Sequence, residues 1–161
     1  MVGIVPSALY KHFKNKSKII DGLLDLIEVR MQATLDEAKQ KSGTELEFFR
    51  RLYFAEVAVI FQFSAAPVIF FSSDVLGGKT ARRSRLKQIA QRFFAELVKM
   101  IEKGQISGAF RKDIAAKNLA LFFIGITVQI TMPTQFLDGE VNLRDHSELA
   151  WNSFVEAVHP K

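Results

Sequence analysis

Residues 3–16 read Gly3-Ile4-Val5-Pro6-Ser7-Ala8-Leu9-Tyr10-Lys11-His12-Phe13-Lys14-Asn15-Lys16, and a long segment of helical periodicity follows them. Gly3 suits a tight turn because it accepts positive φ. Pro6 suits the first position of a helix, where a backbone N–H has no partner in any case. On such a short helix Ala8, Leu9 and Phe13 face inward, and Ser7, Tyr10, Lys11 and His12 face outward. A short helix behind a glycine turn, showing hydroxyl, aromatic and cationic groups, has the chemistry of a recognition helix. Its outer face meets base edges while flanking cations hold phosphates. The charge distribution agrees. Residues 1–18 hold Lys11, Lys14, Lys16 and Lys18 without one acidic residue, and the other 143 residues hold 18 basic and 17 acidic ones. The net charge of +5 is therefore an N-terminal feature. The plainer reading is a solvated basic surface on an ordinary helix hairpin.

Outward from that stretch the chain reads as helix after helix. Ser17 is placed to cap a helix running to about residue 41, with Ile20, Leu23, Leu24, Ile27 and Met31 on one face. Ser42-Gly43 stops it. Thr44 and Glu47 form a capping box for a helix through Phe49, Leu52, Tyr53, Ile60 and Phe63. Pro67 breaks that helix, and Gly77-Gly78 ends a short successor. Thr80 or Ser84 opens the next, striped by Leu86, Ile89, Phe93, Leu97 and Ile101, and Gly104 and Gly108 punctuate a loop. Asp113 caps a helix from Ile114 to the neighbourhood of Met132, closed by Pro133. Asp145 with Glu148 is a second capping box, opening a helix with Leu149, Trp151, Phe154 and Val158. No segment sustains alternation of period two, and no repeat is visible. The fold class is all-α, in packed antiparallel helices.

Composition excludes several functions. At 161 residues, 48% hydrophobic and 24% charged, the chain is a folded domain. The absence of cysteine removes disulfides, thiolate metal sites and a cysteine nucleophile, and suits a reducing cytoplasm. No signal-peptide pattern opens the chain. Residues 57–73 and 118–137 are uncharged runs of membrane-spanning length. Gln62, Ser64 and Pro67 interrupt the first, and Thr127, Gln129, Thr131, Pro133 and Gln135 the second, so both read as buried helices with no membrane partner. His12, His146 and His159 are scattered, which leaves no helical metal pair. Ser73-Asp74-Val75-Leu76-Gly77-Gly78-Lys79-Thr80 approximates a phosphate-binding G-x-x-x-x-G-K-[ST] loop. Its first glycine is Ser73, however, and the strands of a parallel sheet are missing, so a glycine-rich connection is the simpler reading. No cofactor, metal or catalytic set is expected, and the chain reads as a non-enzyme.

The N-terminal string resembles the TetR (tetracycline-repressor-like) family of bacterial transcription regulators. The family pattern is a turn glycine, a short helix ending in Leu-Tyr-x-His/Tyr-Phe, then x-Ser/Asn-Lys leading into a long helix. Here Gly3, Leu9-Tyr10-Lys11-His12-Phe13 and Lys14-Asn15-Lys16 match in order, within residues 1–28. The resemblance implies that Tyr10, His12 and Lys16 contact phosphates and that Pro6, Ser7 and Lys11 lie nearest the bases of double-stranded operator DNA. It also implies two helices before Gly3 that this sequence does not contain. The expectation is a chain lacking the first half of its helix-turn-helix and impaired in DNA binding by itself. Residues 1–41 would be the DNA-binding remnant and connecting helix, and residues 42–161 a ligand-binding and dimerisation domain.

For that second domain the resemblance implies a cavity for a small lipophilic effector. Phe54, Phe61, Phe70, Phe94 and Phe122 would be its walls and Gln129 a polar contact. It also implies a twofold homodimer through the last two long helices, with Ala120, Phe123, Thr127, Trp151 and Phe154 at the interface. The implied mechanism is repression: effector binding shifts the connecting helix, and the two recognition helices lose their spacing of about 34 Å. The alternative for every one of these apolar residues is ordinary core. Glu56 interrupts the apolar face of Phe49, Leu52, Ile60 and Phe63. It is expected to pair with Arg50, Arg51 or Arg92, because buried charges are usually paired, or else to receive a cationic effector. A helical dimerisation or ligand-binding module without DNA binding is the alternative function.

Overall fold

The computed structural model describes residues 16–41, 43–62, 80–131 and 141–160. Among them run five helices: α1 (Lys16–Gln40), α2 (Glu45–Gln62), α3 (Thr80–Ser107), α4 (Ala116–Val128) and α5 (Leu143–Val158). No strand occurs among the described residues, so the expected all-α class holds. None of the described helices is long and apolar enough to cross a membrane.

The α1–α2 turn is built from local chemistry. Gly43 sits at φ +152°, where a side chain would be strained. Glu47 N donates to Thr44 Oγ1 at 3.2 Å and Thr44 N donates to Glu47 Oε2 at 2.8 Å, so the capping box forms as expected. Arg51 then reaches back and donates to the carbonyl oxygens of Ala38 at 3.2 Å and Lys41 at 3.0 Å. Helix α2 thereby satisfies carbonyls that the end of α1 leaves open. Helix α1 itself begins at Lys16, which places Ser17 inside the first turn rather than at the cap.

Three local expectations are corrected. Gly104 is not in a loop: it lies within the 28-residue helix α3. Its missing side chain admits the ring of Phe110, which is buried, and a Cβ at position 104 would overlap that ring. The turn falls later, at Gly108 with φ +81°. Gln105 Nε2 holds the returning chain by donating to the carbonyls of Arg111 and Ile114, each at 2.8 Å. Asp113 does not cap α4. Arg111 Nε holds its Oδ1 at 2.6 Å, and α4 starts after Ala115 with no side-chain cap. Asn142 caps α5 in place of the expected Asp145–Glu148 box, its Oδ1 accepting from the backbone N–H of Arg144 at 3.1 Å and of Asp145 at 3.4 Å.

Helix α2 packs against all four other helices. Its buried residues Phe48, Phe49, Leu52, Tyr53 and Val57 form the centre of the main core. The Tyr53 hydroxyl donates to the carbonyl of Ser147 at 3.1 Å and so joins α2 to α5 inside that core. Burial pushes the Tyr53 phenol up to about 12.

Replacing Gly104 with alanine should destabilise the fold by about 1–3 kcal/mol, the usual range for forced overpacking. A urea unfolding curve measures this. A midpoint equal to that of the wild type would mean that the Phe110 ring yields without cost.

Candidate functional site

The helix that leaves the basic N-terminal stretch is α1, so what holds α1 decides what can move it. At its first turns Ile20 and Leu24 bury against Leu86 of α3 in a small separate cluster. Beside that cluster, acidic residues of α1 meet arginines of α3. Arg82 Nε lies 2.6 Å from Asp21 Oδ1, and Arg85 lies 2.5 Å from both Asp25 Oδ1 and Glu28 Oε2. Arg92 also pairs with Glu28. Towards the other end Lys39 Nζ lies 2.5 Å from Glu96 Oε2. The spacing explains the ladder. Positions 21, 25 and 28 share one face of α1, and positions 82, 85 and 92 share one face of α3. Hydrogen bonds from Arg85 and Arg92 hold the Glu28 carboxyl below its ordinary value of 4.5, and Lys39 does the same for Glu96.

Between the Glu28–Arg92 and Lys39–Glu96 pairs the two helices part. They leave a cleft of about 690 Å³ lined by Leu35, Ile89 and Phe93 among others. That volume lies within the range of small-molecule sites. A second hollow of about 320 Å³ lies by the α1–α2 turn, bordered by Ala38, Phe48, Arg51 and Met100.

Across α1 from the cleft, Glu56 of α2 meets Thr34. Thr34 Oγ1 and Glu56 Oε1 are hydrogen-bonded, and this corrects the expected arginine pairing. The arginines are engaged elsewhere: the Arg50 guanidinium lies 5.0 Å over the Phe54 ring, Arg51 holds the end of α1, and Arg92 holds Glu28. Burial pushes the Glu56 carboxyl up, and the bond to Thr34 opposes that rise. Nothing in the local pattern marks Thr34 as the partner, because it lies 22 residues away on another helix.

Of the expected DNA contacts, Pro6, Ser7, Tyr10, Lys11 and His12 lie outside the described residues, and Lys16 opens α1. Phe70 and most of the glycine-rich 73–80 stretch also lie outside them. Three of the other expected pocket residues pack on the main core. The Phe54 ring packs 5.1 Å from Tyr53 and 6.3 Å from Trp151, Phe94 packs half-buried on the main core, and Phe122 stacks on Phe154 at 6.2 Å. Phe61 and Gln129 are exposed, and neither of the two hollows is lined by any of these residues.

The expected dimer residues turn inward. Ala120, Phe123, Trp151 and Phe154 are buried by their own chain and offer a partner almost no surface. Thr127 is half-buried, and its hydroxyl donates to the Phe123 carbonyl at 2.9 Å. The large apolar residues that α4 and α5 expose are Leu121, Phe122, Val128 and Leu149. Among the described residues no group of three or more His, Asp or Glu side chains is placed to hold a metal ion.

Solved transcription regulators, one of them described as a tetR-family protein, share this all-helical fold and superpose on nearly the whole chain. The ketosteroid transcriptional regulator KstR2 of Mycobacterium tuberculosis does so with a TM-score of 0.80, covering 99% of this chain and 81% of its own, at 19% identity. A regulatory protein of the tetR family from Rhodococcus RHA1 reaches 0.74 over 96% of this chain and 80% of its own, at 14% identity. FadR of Bacillus subtilis, solved in complex with stearoyl-CoA, reaches 0.69 over 98% and 84%, at 15% identity. In sequence, the chain is 27% identical over 129 residues to the nucleoid occlusion factor SlmA of Marinomonas sp. (strain MWYL1). That match takes in 78% of this chain and 64% of the relative's length. No protein-family model matches the chain.

The carboxyls of this joint make opposite contributions to pH dependence. Glu28 and Glu96 titrate below 4.5 in the folded chain, so their stabilisation is complete above 4.5 and is lost as pH falls through the folded values. Glu56 titrates above 4.5, so its contribution is complete below 4.5 and is lost as pH rises through its folded value. The unfolding free energy of the wild type minus that of Glu56→Gln should therefore fall as pH climbs above 4.5. Urea unfolding over a pH series checks this, and a flat difference would remove Glu56 from the response.

Proposed function

We propose that the chain belongs to a cytoplasmic, homodimeric DNA-binding transcriptional repressor whose hold on operator DNA is released by a small lipophilic effector. Residues 1–41 form the DNA-facing arm, and residues 42–161 form the regulatory and dimerisation domain. The observation that carries the reading is the ladder of ion pairs from Asp21–Arg82 to Lys39–Glu96. It fastens the helix that follows the basic stretch to the body of the bundle along most of its length. A shift of α3 against α2 thus reaches α1 and the recognition segment before it. The cleft between α1 and α3 leaves room for such a shift. An effector produces it only by binding the two arrangements with different affinity. FadR holds stearoyl-CoA in its solved complex, and this supports a lipophilic class of effector.

The dimer is proposed through the outer faces of α4 and α5. Leu121 is 58% exposed and Leu149 65% exposed, and Phe122 and Val128 lie beside Leu121 on α4. An isologous packing of these faces would give the twofold pairing that a palindromic operator requires. Replacing Leu121 and Leu149 together with glutamate should convert a dimer to a monomer without unfolding it. Sedimentation velocity with circular dichroism reads both properties, and a dimer that survives the double substitution would move the interface elsewhere.

DNA binding is tested by mobility shift on DNA flanking the chain's own gene across a salt series. The chain is compared with a version extended upstream. Lys14→Ala and Lys16→Ala should each flatten the slope of log affinity against log salt by about 2 per dimer. Binding by neither version would leave the helical ligand-binding and dimerisation module as the function.

A further inference from the structure

Thr34 has one hydroxyl hydrogen and two acceptors within reach. Its Oγ1 lies 3.1 Å from the Met31 carbonyl oxygen and in hydrogen-bond contact with Glu56 Oε1. A carbonyl oxygen only accepts, and a hydroxyl supplies a single hydrogen. With the Thr34 hydrogen on Met31, the hydrogen shared with Glu56 belongs to Glu56. The opposite assignment would leave an ionised carboxylate at a contact where Thr34 is only 7% exposed and no cation answers it. The cations of the neighbouring elements are held elsewhere. Arg51 binds the carbonyls of Ala38 and Lys41, Lys39 binds Glu96, Arg92 binds Glu28, Lys103 binds Glu45, and Arg50 covers Phe54. Glu148 of α5 acts on Tyr53. None of the described charged side chains acts on Glu56.

The other carboxyl oxygen is unused. Glu56 Oε2 has no hydrogen-bond partner among the described residues, yet no buried side-chain oxygen is left orphaned there. Oε2 is therefore reached from accessible space. It opens beside α1 on a face of α2 that otherwise carries buried Leu52 and half-buried Ile60.

We propose that Glu56 is a neutral carboxylic acid in the folded protein, that it gives its hydrogen to Thr34, and that its Oε2 is the acceptor for the hydroxyl or amide N–H of an uncharged lipophilic effector. This rests on the reading of the chain as an effector-controlled regulator, and it narrows the effector class to an apolar body with a hydrogen-bond donor and no positive charge. A donor on Oε2 pulls on the same carboxyl that joins α2 to α1, so binding acts directly on the connecting helix. Glutamine reproduces the neutral acid in shape, with its amide donating to Thr34 and its carbonyl facing the effector.

Two measurements test the proposal. The infrared spectrum at neutral pH should show a protonated-carboxyl band in the wild type that is absent from Glu56→Gln. Calorimetry with decanol, decylammonium and decanoate should show decanol binding wild type and Glu56→Gln alike, and Glu56→Ala about tenfold more weakly, the worth of one hydrogen bond. Absence of the band overturns the neutral acid. Decylammonium that binds the wild type best and is lost in Glu56→Gln overturns it in favour of an ionised carboxylate receiving a cation. Decanol binding that is equal in Glu56→Ala removes the anchor but leaves the effector reading standing. Failure of all three probes to bind the wild type overturns the anchor and the effector reading together.

Discussion

The fold depends on the ring of Phe49. It is fully buried on α2 and touches Phe48 at 5.1 Å, Phe123 of α4 at 5.0 Å, Phe154 of α5 at 5.5 Å and Phe110 of the α3–α4 connection at 5.8 Å. The contacts to Phe48 and Phe123 are edge-to-face, the arrangement that the charge distribution of aromatic rings favours. One side chain thus fixes α2 against three other parts of the chain. Glu56 stands two helical turns further along the same face of α2, so the cluster that locks Phe49 also fixes where Glu56 meets Thr34.

The first half of helix α1 is held by a different kind of force, while Leu35 and Ala38 of its second half belong to the main core. Its first turns bury only Ile20 and Leu24, against Leu86, and the rest of its α3 contact is largely a row of ion pairs. The pairs of Arg85 and Arg92, unlike that of buried Arg82, lie at the surface, where each contributes roughly 0–1 kcal/mol, whereas burying one core aromatic contributes roughly 1.5–3 kcal/mol. The bundle around Phe49 is therefore the stiff part, and the first half of α1 the part that yields first. That order suits the connecting role proposed for α1, because elements that move in regulation come from the less stable end of a structure. The ion pairs still set register: Arg82, Arg85 and Arg92 of α3 meet acids at successive heights on α1, so α1 shifts as a unit rather than sliding freely.

What the sequence made legible was local, and what it hid was the identity of distant partners. The Thr44–Glu47 box needs only its own four residues, and it forms as its spacing indicates. The apolar stripe from Leu86 to Ile101 needs only helical period, and Leu86, Ile89, Leu97 and Ile101 are buried. Gly104 looked like punctuation because glycine usually is, but its role is set by a ring six residues on that folds back over it. Asp145 and Glu148 have the spacing of a capping box, yet the cap went to Asn142, three residues before Asp145. The apolar faces around Phe123 and Phe154 were equally legible. Periodicity shows that such a face must be covered and does not say by what, and here the chain's own α2 covers it. Glu56 was rightly seen as an anomaly on its face, but its partner is a threonine, not an arginine, because the nearby guanidiniums found carbonyls, an aromatic ring and other acids.

A core built so largely from phenylalanine has few polar joints, and two of those present differ in kind. Tyr53 to Ser147 joins α2 to α5, and with the phenol pushed up to about 12 that bond is indifferent to any ordinary change of pH. Thr34 to Glu56 joins α2 to α1 through a carboxyl whose charge state depends on its surroundings. The same helix therefore carries a constant joint towards α5 and a responsive joint towards the arm. A ligand or proton that changes the second leaves the first intact. Under the proposed regulatory role, a signal arriving at α2 would travel towards α1, because the cluster around Phe49 holds the other side.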